Sequence, residues 1–227
     1  MKESTITCYM CDKATTGGEH VPPKCIFPEQ KDLPKGVDYR KRLYTVPSCD
    51  EHNSKKSKDD EYLCYVLTMM NQSNPVGRNQ YTSKTRRAIN RNPDLLRRFA
   101  AQGGIVGESL AIHLEEGRFD RIIDRLARAI YYLHYQEKWL NRIRYHPEFL
   151  RSTTDPENED KTISLEADSI FSDAACYGDN PEVFKYQAVE GVNLKEMRLH
   201  FYEGCRFYLQ FRGDAAIKWE DDSKNKD

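Results

Sequence analysis

Cys8-Tyr9-Met10-Cys11 and Cys49-Asp50-Glu51-His52-Asn53 bracket the stretch Glu19-His20-Val21-Pro22-Pro23, and the reading of this bracket decides what the start of the chain is. A two-residue gap lets both side chains of a pair turn inward on one tight knuckle. They then offer two corners of a tetrahedron to a single zinc ion. Two such knuckles flanking one short segment are a much stronger signal than either alone. Cys8, Cys11, Cys49 and His52 are therefore the expected Zn²⁺ ligands. Four protein donors close the coordination sphere, which makes a structural zinc the expectation. A set with His20 in place of His52 is the alternative, although Glu19-His20 stands apart from both knuckles.

Outward from the bracket, residues 1 to about 60 are rich in Gly, Pro, Lys and Asp and poor in sustained apolar periodicity. Such a segment builds little core of its own, so a metal staple is the natural substitute. Asp59, Asp60 and Glu61 then open a helix that runs on through Tyr62, Leu63, Val66, Leu67 and Met70. Acidic residues in a first turn suit the positive end of the helix dipole. Ser83 to Gln102 reads as two short helices broken at Pro93, and Gly103-Gly104 as a turn. From Arg118 to Trp139, the residues Phe119, Ile122, Ile123, Leu126, Ile130 and Leu133 recur at helical spacing and are expected to face a core. Residues 152–163 read as an exposed loop. Val183–Val189, Met197–Tyr202 and Arg206–Phe211 read as strands, with a hairpin turn at Glu203-Gly204. Glu220 to Asp227 is a polar tail. The expected class is α+β: a zinc-bound module over 1–62, and an accessory domain over 63–227 made of helices and an antiparallel β-hairpin or meander.

The chain has 227 residues, 38% of them hydrophobic and 31% charged, and seven are cysteines. That composition fits a folded domain with a charged surface rather than a disordered chain. No apolar run is long enough to cross a bilayer, and the first residues lack a secretory apolar region, so the expected location is cytoplasmic. Cysteines at short spacing in a reducing compartment read as metal ligands rather than disulfides. A formal net charge of -1 gives nucleic-acid binding no global support, so any basic surface is local. Lys84, Arg86, Arg87, Arg91, Arg97 and Arg98 form one such patch, equally readable as phosphate contacts or as a solvated surface. Arg40, Lys41 and Arg42 form another, which flanks a groove of DNA or simply keeps a hairpin hydrated. Arg118, Arg121, Arg125 and Arg128 share a helix face and read as a solvated stripe partly balanced by Asp120 and Asp124. His113, His134, His146 and His200 show no ligand spacing. Trp139, Tyr131, Tyr132 and Tyr135 read as core or interface residues.

Taken in order, the two knuckles, the Glu-His pair between them, and Asn53 with Lys56 after the second knuckle resemble the HNH, or ββα-metal, endonucleases of the endonuclease VII type. The resemblance covers roughly residues 8–61. It implies His20 as the general base, Glu19 and Asn53 as ligands of a catalytic Mg²⁺ or Mn²⁺, and Lys56 as a phosphate contact or helix-end residue. An imidazole near neutral pH suits removal of a proton from water, and a hard cation on oxygen ligands suits the phosphate. Three departures stand out: Glu19 where the family has Asp, Tyr44 at the middle Asn, and His52 for a fourth Cys. The implied function is endonucleolytic hydrolysis of DNA, with RNA open as a substrate, in host defence or a mobile element. Arg40, Arg42, Arg86, Arg87 and Lys56 are the candidate nucleic-acid contacts. A homodimer or a partner protein would use the C-terminal region. The second expectation is a non-catalytic treble-clef module that binds nucleic acid or protein, and a third is a toxin.

Overall fold

The computed structural model describes residues 6–53, 56–94, 105–106, 109–110, 114–150 and 159–213. Its first element pair is an antiparallel hairpin, β1 (Gly17–His20) with β2 (Thr45–Ser48), in which Glu19 lies opposite Val46 and His20 opposite Thr45. The long link between them is gathered by Arg40, whose Nε and Nη2 donate to the Phe27 carbonyl at 3.1 and 3.0 Å. A short α1 (Asp50–Asn53) follows, begun by the His52 and Asn53 amides, which both donate to the Cys49 carbonyl.

Helix α2 (Ser57–Met69) starts two residues before the acidic run that announces it and buries Tyr62, Leu63, Cys64, Val66 and Leu67. Asn74 then caps α3 (Pro75–Gln80). Its side chain accepts from the Gly77 amide at 3.0 Å, and Pro75 fills the first position, where its missing amide costs nothing. A π turn over Tyr81–Thr85 leads into α4 (Arg86–Arg91), which ends at Asn92, ahead of Pro93. Two residues each of β3 (Ile105–Val106) and β4 (Ser109–Leu110) pair antiparallel.

Helix α5 (Glu116–Tyr135) buries Phe119, Ile122, Ile123, Leu126, Ala127, Ile130 and Tyr131. It stops four residues short of the expected Trp139, because Gln136 turns left-handed and returns its amide to Tyr132. Beneath it lies a five-stranded antiparallel sheet, in the order β5-β9-β8-β7-β6. The strands are β5 (Ile143–Pro147), β6 (Cys176–Asn180), β7 (Phe184–Gly191), β8 (Leu194–Phe201) and β9 (Cys205–Arg212). Phe119 on Phe207 and Tyr131 on Phe211 seat the helix on one face. The chain turns from β8 to β9 through Tyr202 and Glu203, both at positive φ, and a Cβ on Gly204 would lie 1.9 Å from the Gln72 carbonyl oxygen. Only glycine fits that approach.

The other face of the sheet is polar. Glu196, Arg198 and His200 of the central strand are buried there, under α6 (Glu159–Ile170) and the Phe171 ring that follows it. This helix corrects the expected loop over 152–163, whose second part is its first turn. Strands β5 and β6 were also not expected from the sequence. One buried apolar cluster runs from Cys8 through α2 and α5 to Phe211. Among the described residues no helix is long and apolar enough to cross a membrane. Arg97, Arg98, Gly103-Gly104, His113, residues 152–158 and the tail from Glu220 to Asp227 lie outside the described residues.

Candidate functional site

The two knuckles meet. Cys8, Cys11, Cys49 and His52 bring their ligand atoms within 4.8 Å of one another. Each of the Cys8 and Cys49 sulfurs lies 3.3 Å from His52 Nδ1, the Cys11 sulfur lies 3.6 Å from it, and Cys11 and Cys49 are 3.8 Å apart. The edges of a zinc tetrahedron with sulfur and imidazole donors are about 3.6–3.8 Å, as follows from the usual bond lengths. Donor set and spacing thus suit a metal ion such as zinc, with His52 rather than His20 in the set. Backbone bonds hold the knuckles: the Cys8 amide donates to Lys13, the Tyr9 amide to Pro47, and the His52 amide to Cys49. Lys138, beyond the end of α5, ties in by donating to the Cys11 carbonyl at 2.7 Å.

A cleft opens between this hairpin and helices α2 and α5. Glu19, His20, Lys56, Asp59, Asp60 and Arg125 line it with polar groups, over a floor that includes Leu63 and Ile122. Strand alternation sends Glu19 inward beside Val46, where only 5% of it is exposed. One carboxylate oxygen, Oε1, receives the Lys56 ammonium and, at 3.4 Å, the Tyr9 hydroxyl. The other, Oε2, is buried and has no hydrogen-bond partner, and the same holds for His20 Nδ1. Burial pushes the Tyr9 hydroxyl well above its usual range, and the Glu19 charge adds to the effect. Lys56 also stands 3.8 Å from Asp60. Burial raises the Asp60 carboxyl to about 6, with Lys56 pulling the other way and Glu19 and Asp59 adding to the rise. Asp59 is held from α5, by Arg118 at 2.8 Å and Arg125 at 3.6 Å. The expected solvated stripe is corrected for Arg118 and Arg125, which clamp α5 to α2 through Asp59, whereas Arg121 is exposed and Arg128 bonds the expected Asp124 at 2.8 Å. Carboxylates rather than thiols line this cleft.

Asn53 sits half-buried at the end of α1 and is not among the residues lining the cleft. Tyr44 is half-buried, and its carbonyl accepts the Val21 amide at 3.0 Å. The basic candidates divide. Arg87 holds Asp32 bidentately at 2.7 Å, Lys84 donates to the Cys25 carbonyl at 2.8 Å, and Arg40 is spent on Phe27 and Glu29. Arg42, Arg86 and Arg91 are exposed; Arg42 lies 4.0 Å from Asp179. Sequence reasoning missed Asp59, Asp60 and Arg125 as cleft residues, and Tyr9 as a buried partner of Glu19. The signal available was the i,i+4 spacing of Lys56 and Asp60 directly after the second knuckle.

Compared with family models, curated proteins and solved structures, the chain matches none of them.

Proposed function

We propose that the chain is a metal-dependent endonuclease that hydrolyses phosphodiester bonds in DNA, on a zinc-stapled, treble-clef-like ββα-metal module. One observation carries this reading. Glu19 and His20 end β1, close to the three-cysteine, one-histidine cluster; both line one cleft, and each has a buried side-chain atom without a hydrogen-bond partner.

In this reading His20 accepts a proton from water while the water oxygen bonds to phosphorus and the bond from phosphorus to the leaving ester oxygen breaks. That oxygen departs and takes a proton from solvent. Imidazole suits the task because its protonation changes nearest neutral pH. Glu19 would hold Mg²⁺ or Mn²⁺; the resemblance adds Asn53, which does not line this cleft. A divalent cation bound there neutralises charge on the phosphate and on the leaving oxygen. Exposed Arg42 and Arg86 offer phosphate contacts, whereas Arg87, Arg40 and Lys56 have to leave internal partners to do so.

The test is cleavage of supercoiled plasmid by zinc-loaded wild type and His20→Ala, with Mg²⁺ or Mn²⁺ and with chelator. Wild type is expected to nick or linearise the plasmid only with the metal, and the folded variant to be slower by at least about 100-fold. Equal rates in both proteins would remove His20 from the chemistry. The second reading, a non-catalytic binding module, is favoured by the Lys56 ammonium already neutralising Glu19. It predicts nucleic-acid or protein binding without turnover and indifference to Mg²⁺ or Mn²⁺.

A further inference from the structure

We propose that the divalent cation of this cleft binds between Glu19 and Asp60, and that it enters by displacing the Lys56 ammonium that bridges them. The inference rests on reading the cleft as the hydrolytic site, but it makes Asp60 a ligand that the resemblance does not supply.

The charges argue for it. Asp59 and Glu115 together are matched by Arg118 and Arg125 of α5. That leaves two carboxylates, Glu19 and Asp60, facing one ammonium, so the bridged group keeps a net negative charge. A divalent ion in the same place brings the sum to zero. Oxygen chemistry points the same way. Glu19 Oε2 is buried without a hydrogen-bond partner although Oε1 is occupied, so half of a desolvated carboxylate is unsatisfied. Such a group costs about 1–3 kcal/mol or more when left unpaired. Lysine is a monovalent point charge on a flexible stem and serves as a replaceable occupant. Hard divalent ions prefer two or more carboxylate oxygens and keep the rest of their shell for water or substrate. Lys56 lies immediately before α2 and Asp60 in its first turn, so both approach Glu19 from the same helix end.

The experiment is a Mn²⁺ titration of the zinc-loaded full chain, read by loss of the free-ion paramagnetic resonance signal. The variants are Glu19→Gln, Asp60→Asn, Asp60→Glu and Lys56→Met, with zinc content and circular dichroism as checks of folding. Asp60→Asn and Glu19→Gln are expected to weaken Mn²⁺ binding by at least about 10-fold, the lower end of what lost support for a metal costs. Asp60→Glu is expected to keep most of the affinity, which separates ligation from folding. Lys56→Met is expected to bind about 10-fold tighter, since it removes the competing cation. Unchanged affinity in Asp60→Asn, or weaker binding in Lys56→Met, overturns the proposal, as does no binding by wild type and Lys56→Met alike. Tight binding without plasmid cleavage would leave this site standing and count against the nuclease reading. Cleavage that persists in Asp60→Asn with unchanged Mn²⁺ affinity would do the reverse.

Discussion

The hairpin module and the sheet that follows it are stabilised by different physics. Over residues 6–53 the buried apolar side chains are few: Tyr9, Val21, Ile26, Phe27 and Val46, with Pro22, Pro23 and Pro28, beside the two buried cysteines. Four donor atoms converge there on one point, which suits a metal staple in place of a larger core. From 114 to 213 the core is aromatic and dense, with Phe184, Phe201, Phe207 and Phe211 packed under α5. Burial of such a side chain contributes roughly 1.5–3 kcal/mol, so this region needs no external ligand. The two regions meet at α2 and also directly, through Lys138 on the Cys11 carbonyl and Tyr202 on the Ile26 carbonyl. The difference in what holds them should nonetheless make them yield to different agents.

The largest effect should follow from removing the metal. Structural zinc supplies about 10–16 kcal/mol of apparent binding free energy in small zinc-dependent folds. With Cys49→Ser or a strong chelator, bound zinc is expected to fall from about one equivalent per chain to none. Amide protection should vanish at Tyr9, Thr16 and Val21, while β8 and β9 stay protected in hydrogen exchange. Simultaneous loss of protection in the sheet would show that the two regions are one cooperative unit.

A smaller loss is expected on the far side of the sheet. Arg198 and Glu148 form an ion pair with side-chain exposures of 4% and 1%, extended by Asp168 and Arg206. Removing one member of a buried pair strands the other, at about 3–5 kcal/mol. Glu148→Ala should lower the thermal midpoint without altering zinc content. The double variant Glu148→Leu/Arg198→Met should recover much of the loss. A single variant as stable as wild type would mean that water reaches this pair freely.

The same division governs what could be read from the residues. Zinc chemistry restricts both residue type and spacing, so Cys8, Cys11, Cys49 and His52 were legible although they lie far apart in sequence. Helix α5 and strands β7, β8 and β9 were legible because each buries an apolar face with its own period. Strands β5 and β6 were not. Each is an edge strand, one containing Pro147 and the other Gly178 at φ 142 with a break in register. Helix α6 stayed hidden because it covers a polar face, so Ile163, Ala167 and Phe171 are its main apolar contacts. Ion pairs between distant residues leave no local mark. Lys56 with Glu19 and Arg87 with Asp32 turn residues that read as phosphate contacts into internal clamps.

The smallest effect at neutral pH, and the one that best sharpens the contrast between the hairpin module and the sheet, concerns His200. Gln187 spends its Nε2 donors on the carbonyls of Phe171 and Ala174, so its oxygen, 3.0 Å from His200 Nε2, has to accept. That assigns the proton of the neutral ring to Nε2. A second proton would place a cation in a buried site among Arg198, Lys185 and Arg206, with Asp168 opposing them. Burial first, and then these charges, lower the imidazole from its usual 6.5 to about 3. Between those values the unfolded chain binds the proton and the folded one does not, so stability rises with pH across this window and is lost as pH falls through it. His200→Gln keeps a donor for Gln187 and cannot titrate. It should leave the urea midpoint above pH 7 nearly unchanged and move the acid-unfolding midpoint of the sheet to lower pH. The measurement is tyrosine fluorescence of the sheet at a series of pH values. An identical acid limb in both proteins would assign the acid sensitivity to the carboxylates of the ion pairs instead.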